Sequence, residues 1–214
     1  MDRPAKTQKR GHVRYRTIGA KCSGHSGLVC QAGLQRPMTF LETPSDSRRA
    51  RTQRRIFSAF SDLVQSQRYD TIQVADIVRA ADIGRSTFYE HFDHKNDVLA
   101  KSIAGMMQVI AESLCGQGNR GNLDLILEHI WDRRALARII FSDETQTIVT
   151  QVLTDRIREL DTRDNKTVQA EHIALGSGTT EVLKNWVGGQ LSINRDELVD
   201  WITGQVALKR HLTP

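Results

Sequence analysis

From Arg48 onward the hydrophobic positions fall into short helical stripes separated by polar breaks, and no segment alternates with the period of a strand. Ile56, Phe57, Phe60, Leu63 and Val64 share one face of a first helix, with Ser45, Asp46 and Ser47 as candidate N-caps and Tyr69-Asp70 as its stop. Val74, Ile77, Val78 and Ala81 predict a second helix of about two turns. Asp82-Ile83-Gly84 interrupts the pattern, and Arg85–His91 predicts a third short helix with Phe88 inward and Phe92 closing the unit. Asp93 or His94 then caps a longer helix carrying Val98, Leu99, Ile103, Met106, Met107 and Ile110 inside. Gly116–Asn122 reads as a loop and a domain boundary.

The second half predicts five more helices. Their stripes are Leu123, Ile126, Leu127, Ile130 and Trp131; Leu136, Ile139, Ile140 and Phe141; and Ile148, Val152, Leu153, Ile157 and Leu160. After the polar loop Asp161–Lys166 come Ile173, Leu175, Val182, Leu183, Trp186 and Val187, then Leu198, Val199, Ile202 and Val206. Asn194 followed by Glu197 has the spacing of a capping box opening the last helix. The expected fold is all-α, with a three-helix N-terminal domain over 46–112 and a helical bundle over 113–214. Ala174, Gly176, Ser177 and Gly178 place small residues inside a predicted helix, where each glycine costs about 1 kcal/mol. Two explanations stand equally: close approach of helices where two copies meet, or a break in the helix. Trp186 and Trp201 fit either that interface or the core.

Charge changes the picture less than its total suggests. Of the net +5, residues 1–40 contribute +7, residues 41–100 balance, and residues 101–214 contribute −2. A general basic balance is therefore no argument for a polyanionic partner; local placement has to carry it. Residues 1–45 are basic and rich in Gly and Ser without a sustained period, so they are expected to be disordered. They are either a basic arm adding phosphate contacts or, up to residue 37, sequence upstream of a natural start at Met38. No apolar stretch approaches the length that spans a bilayer and no secretory signal is seen, so no membrane partner is expected and the expected compartment is the cytoplasm. Cys22, His25 and Cys30 lack a fourth ligand, so no metal is expected, nor any cofactor. With no Gly-rich phosphate loop or nucleophile motif, an enzyme is not expected either; His91, Asp93 and His94 form the only dense ionisable cluster.

The segment that carries chemistry is residues 72–92. Two short helices at a fixed angle need an apolar lock and a tight turn; Val74, Ile77, Val78, Ala81, Ile83 and Phe88 supply the lock, and Asp82 and Gly84 the turn. Arg85, Ser86 and Thr87 then stand as donors at the N-terminal end of the second helix, the end that reaches base edges in a helix-turn-helix. Tyr89 and His91 reach a phosphate or a base, and Lys95 adds a cation at the backbone.

The run TIQVADIVRAADIGRSTFYEHFDHKNDVL resembles the DNA-binding signature of the tetracycline-repressor (TetR) family, over about residues 50–110. Asp82 departs from it, standing where Gly or Asn is usual, and Gly84 replaces a frequent Ser. The resemblance implies a homodimer on double-stranded DNA whose last two helices pair across a two-fold axis, most often a ligand-responsive repressor on a near-palindromic operator. It assigns base reading to Arg85, Ser86 and Thr87, phosphate holding to Tyr89, His91 and Lys95, and further backbone or minor-groove contacts to Arg48, Arg49 and Arg51, ahead of the first helix. A small-molecule effector is expected among Met106, Met107, Ile110, Trp131, Ile139, Ile140 and Phe141, with ordinary core as the rival reading of the same residues. The remaining alternatives are non-specific DNA coating by the basic arm and catalysis by His91, Asp93 and His94.

Overall fold

The elements of the described chain are α1 (Arg48–Ser66), a 3-10 turn (Tyr69–Thr71), α2 (Val74–Ala80), α3 (Arg85–Tyr89), α4 (Lys95–Leu114), α5 (Arg120–Asp132), α6 (Arg134–Ile140), α7 (Asp143–Leu160), α8 (Lys166–Gly188) and α9 (Arg195–His211). They come from a computed structural model that describes residues 48–163 and 165–211, with side chains as far as Gln205. Among the described residues there is no strand, and no helix is long and apolar enough to cross a membrane. The expectations for residues 1–45 and Met38, the caps Ser45, Asp46 and Ser47, the cluster Cys22, His25 and Cys30, and the side chain of Val206 lie outside the described residues.

Short polar side chains set the helix starts. His94, not Asp93, caps α4: its Nδ1 accepts from the Asp97 amide at 3.1 Å, while Asp97 Oδ2 accepts from the Asp93 amide at 3.2 Å. Asn119 accepts from the amides of Gly121 and Asn122 to open α5, and Asn165 accepts from Val168 N to open α8. The Asn194–Glu197 capping box forms in both directions, at 2.7 and 2.9 Å. Gly189, at φ 86°, supplies the left-handed residue that ends α8.

One apolar core runs from Ile56 in α1 to Ile202 in α9. α4 is its axis: α1 packs on its N-terminal part, and α7 lies along it in the most extensive helix pairing of the fold. Around α3 and the start of α4 the core is aromatic. Phe88 and Phe92 are almost completely buried, their rings 5.8 Å apart, and Phe57 of α1 meets Phe92 edge-on at 5.6 Å.

Two stripe assignments change. Trp131 is 42% exposed, lying across Trp186 at 4.9 Å with the Arg134 guanidinium 4.3 Å from its ring, and Ile173 is 56% exposed. Trp186 is core, donating its indole N–H to the Ile193 carbonyl. α8 is continuous through its small residues, so the break expected as one reading of them does not occur. Gly176 is needed inside the protomer: a Cβ there would overlap Thr154 Oγ1 and stand 3.2 Å from Thr154 Cβ on α7. Gly178 has nothing within 4 Å of a Cβ.

Gly176→Ala is therefore expected to destabilise the fold by about 1–3 kcal/mol through overpacking, read as a lower urea midpoint at unchanged slope. Gly178→Ala, by contrast, is expected to leave the protomer as stable or raise it by up to about 1 kcal/mol.

Candidate nucleic-acid interface

Five residues are too few for an autonomous helix, so α3 exists because its surroundings hold it. Phe88 points inward and is fully buried, which turns Arg85 and Ser86 to solvent and leaves Thr87 half-buried at the same N-terminal end. Tyr89 is 54% exposed, its ring edge-on to Phe88 at 5.5 Å, so its hydroxyl end faces outward. α3 ends at Tyr89 rather than at His91, which sits half-buried just beyond it, beside the Phe92 ring. Gly84 is the N-cap and gives no side-chain bond, as its departure from Ser implies.

The electrostatics of this surface come from α1. Arg48, Arg49, Arg51, Arg54 and Arg55 are all exposed in its first eight residues, with no acid in the first turn. Arg48, Arg49 and Arg51 were expected ahead of the helix and instead form its first turn. A helix N-terminus favours acidic side chains, so a row of arginines there runs against local stability. Matching an external polyanion is a physical reason for it. His91 lies within the same field: burial, then the nearby Arg49 and Lys101 cations, hold its pKa below the ordinary imidazole value against the opposing pull of Glu90. The ring is thus neutral near pH 7. Because the folded pKa is depressed, its contribution to stability is present above the ordinary imidazole pKa and is lost as pH falls from there through the lowered folded value.

Lys95 takes a different place from the one expected. Its ammonium donates to the carbonyls of Tyr69, Asp70 and Ile72 at 2.8, 3.0 and 2.9 Å, and lies 4.8 Å from the centre of the Tyr69 ring. An ammonium has three N–H groups, so none is left for a phosphate in this arrangement. Lys95 enters the site as the pin that ties the 3-10 turn to the start of α4. Tyr69 completes the pin by donating to Asn96 Oδ1 at 2.7 Å, and its burial pushes the phenol up to about 12. The expectation missed this because sequence shows a cation near a helix start and not the three carbonyls that converge on it. His94 is likewise committed as a cap, so His91, Asp93 and His94 do not form a cluster of uncommitted ionisable groups.

The effector residues are only partly brought together. Met106, Ile140 and Phe141 line a cavity with His129, Ile130, Arg133, Leu136 and Ala137, whose space of about 10 Å³ has room for roughly one water. Met107 and Ile110 are fully buried, Ile139 lines a separate groove, and Trp131 is partly exposed, so none of these four lines that cavity. Sequence reasoning missed His129 and Arg133, the polar members of the lining. Burial, then the Arg133 cation, lower the His129 pKa.

Lys95→Met keeps the aliphatic stem and removes three charged donors. It is expected to lower unfolding stability by about 1.5–3 kcal/mol, measured by urea titration without DNA. A lysine that served only a phosphate would leave that stability unchanged.

Comparison with known proteins agrees with this geometry. Residues 56–101, from α1 through the start of α4, match the family described as bacterial regulatory proteins, tetR family. The HTH-type dhaKLM operon transcriptional activator DhaS of Lactococcus lactis subsp. lactis (strain IL1403) is 32% identical over 91 residues, which is 42% of this chain and 49% of that protein. The chain thus spans about half the length of the curated relative it matches. Among solved structures, a TetR-family transcriptional regulator from Syntrophomonas wolfei str. Goettingen aligns with TM-score 0.49 and 16% identity, over 78% of this chain and 98% of that one. A TetR transcriptional regulator from Streptococcus agalactiae 2603V aligns with TM-score 0.45 and 24% identity, over 74% and 95%. The likeness to the TetR family of bacterial regulatory proteins is therefore carried by residues 56–101, the segment that holds the helix-turn-helix.

Proposed function

We propose that the chain acts as a dimer on a near-palindromic operator, reads bases with Arg85, Ser86 and Thr87, and represses transcription until an effector binds the helical bundle. The observation that carries the reading is the pairing of two features: an N-terminal α3 end whose donors face solvent, and a row of exposed arginines on α1. Tyr89, His91 and the α1 arginines Arg48, Arg49 and Arg51 hold phosphates in this reading, while Lys95 acts by holding the turn. The activator role of the Lactococcus relative is stated for that protein, and the match covers too little of either chain to set the sign of regulation here.

Dimerisation is supported by the outward face of α8, where Ile173 is exposed beside Ala174, Ser177 and Gly178. On α9, Trp201 is 36% exposed and Gly204 has nothing within 4 Å of a Cβ. Glycines that no contact inside the protomer requires are accounted for by a second backbone approaching from outside. The effector reading is supported by the lining itself, whose exposed wall is apolar, which suits a mostly apolar molecule. Its space holds roughly one water, so binding requires the bundle to widen there.

Selection of duplexes from a random library by the full chain tests the DNA reading. The wild type is expected to enrich two inverted half-sites about one helical turn apart, and Thr87→Ala to relax preference within each half-site. Recovery of no consensus overturns it. For the dimer, Ile173→Glu with Trp201→Glu is expected to convert a dimeric sedimentation profile to a monomeric one at unchanged helical circular dichroism. A wild type that sediments as a monomer at micromolar concentration sinks the interface.

A further inference from the structure

Asp82 is the only non-glycine residue with positive φ among the described residues, at 49°, in the turn between α2 and α3. That left-handed geometry costs an L-residue with a Cβ, and nothing in the aspartate's own side chain contacts offsets it locally. The compensation arrives from 27 positions away in sequence. One terminal nitrogen of Arg55, on α1, donates to the Asp82 carbonyl at 2.7 Å and to Asp82 Oδ2 at 3.0 Å. A single NH2 group therefore grips the main chain and the side chain of the same residue. The Asp82 side chain is 99% and that of Arg55 47% exposed, so this ion pair contributes little net stability. Its geometry is specific all the same: it joins the main chain and the side chain of the left-handed residue to α1 at once.

We infer that Arg55 is a positioning residue for DNA recognition, a clamp on the turn that sets the direction of α3 and masks the Asp82 carboxylate from DNA phosphates. This rests on the DNA-binding reading. It gives Arg55 a role apart from direct contact with the polyanion, through its bonds to the Asp82 carbonyl and carboxylate. It also predicts a dependence between two residues. Where Gly replaces Asp82, the left-handed turn is free of strain and no carboxylate remains to mask, so the clamp becomes dispensable.

The test is a double-mutant cycle with wild type, Arg55→Ala, Asp82→Gly and the double variant, each as the full chain. The probe is a labelled duplex carrying the consensus that the wild type selects from a random library, with a scrambled duplex beside it. Arg55→Ala alone is expected to weaken selected-duplex binding about tenfold, with the scrambled duplex changing less than threefold. In the Asp82→Gly background the same substitution is expected to cost less than threefold, and Asp82→Gly alone to bind at least as well as wild type. Equal losses from Arg55→Ala in both backgrounds, or on both duplexes, make Arg55 an ordinary phosphate contact and overturn the clamp. No loss in the wild-type background overturns it as well. Failure of the wild type to select any consensus is a separate result that removes the DNA-binding reading, and the clamp with it. Thermal unfolding of the four proteins checks that each is folded.

Discussion

The constraint on which the structure depends is that α3 is too short to hold itself. A five-residue helix gains too few backbone hydrogen bonds to repay its nucleation, so it persists only through tertiary contacts. Those contacts are Phe88, fully buried against the Phe92 ring, and Phe92, which seals the exit against Phe57. Burying Phe88 fixes the rotation of the helix, and that rotation turns Arg85 and Ser86 outward. The presentation of polar donors is thus the reverse side of an apolar packing decision. The α2 end is held by Ala81 at the helix junction, and the α4 end by Lys95 and Tyr69 around the 3-10 turn.

Everything around that lock that looks locally unfavourable has the same sign. Arginines crowd a helix N-terminus, a non-glycine residue is held left-handed, and a helix start is capped by glycine without a side-chain bond. Each weakens the fold slightly, and each lies on the surface that α3 presents. A surface selected for stability alone would place acids in the first turn of α1 and glycine or asparagine in the turn. Concentrated local compromise of this kind is the physical mark of a functional surface. It is more informative than the net charge of +5, whose excess lies in residues 1–40.

How much of this was legible in the sequence follows from what periodicity can and cannot encode. All nine helical stripes correspond to helices, because amphipathic spacing is a one-dimensional record of which side is inside. The Asn194–Glu197 box was legible for the same reason, its partners being three residues apart. Trp131 and Ile173 were placed inside because they extend apolar runs, yet each lies at the edge of its stripe, where spacing does not determine burial. Lys95 and Gly176 failed differently. Their roles depend on partners 23 to 26 and 22 residues away, three carbonyls in one case and Thr154 in the other. Local pattern holds no information about such convergences. The effector lining shares that difficulty, since α4, α5 and α6 each contribute to it.

α6 connects the two ends of the proposed regulation. Leu136, Ala137 and Ile140 of this seven-residue helix line the small cavity, so an effector that enlarges the cavity displaces α6 or the helices facing it. On its other sides, Arg134 and Arg138 donate through Nε to the Val187 carbonyl at 2.6 and 2.9 Å, holding the C-terminal end of α8. Ile139 and Arg138 also line a groove of about 410 Å³ together with Val64, Arg68 and Tyr69, at the end of α1 and in the 3-10 turn. The same short helix therefore touches the cavity, the helix proposed to pair across the dimer, and the support of the recognition unit. The Arg68–Glu144 ion pair at 3.5 Å crosses that groove from the 3-10 side to α7 but is exposed and therefore weak, so it offers little resistance to movement. A shift from one per cent to ninety-nine per cent of an alternative state needs about 5.5 kcal/mol of differential effector binding. In the proposed regulation, a tightly packed core deforms little, so that free energy would be expressed as displacement of α6 as a unit, with the α1 end and the α8 end moving together.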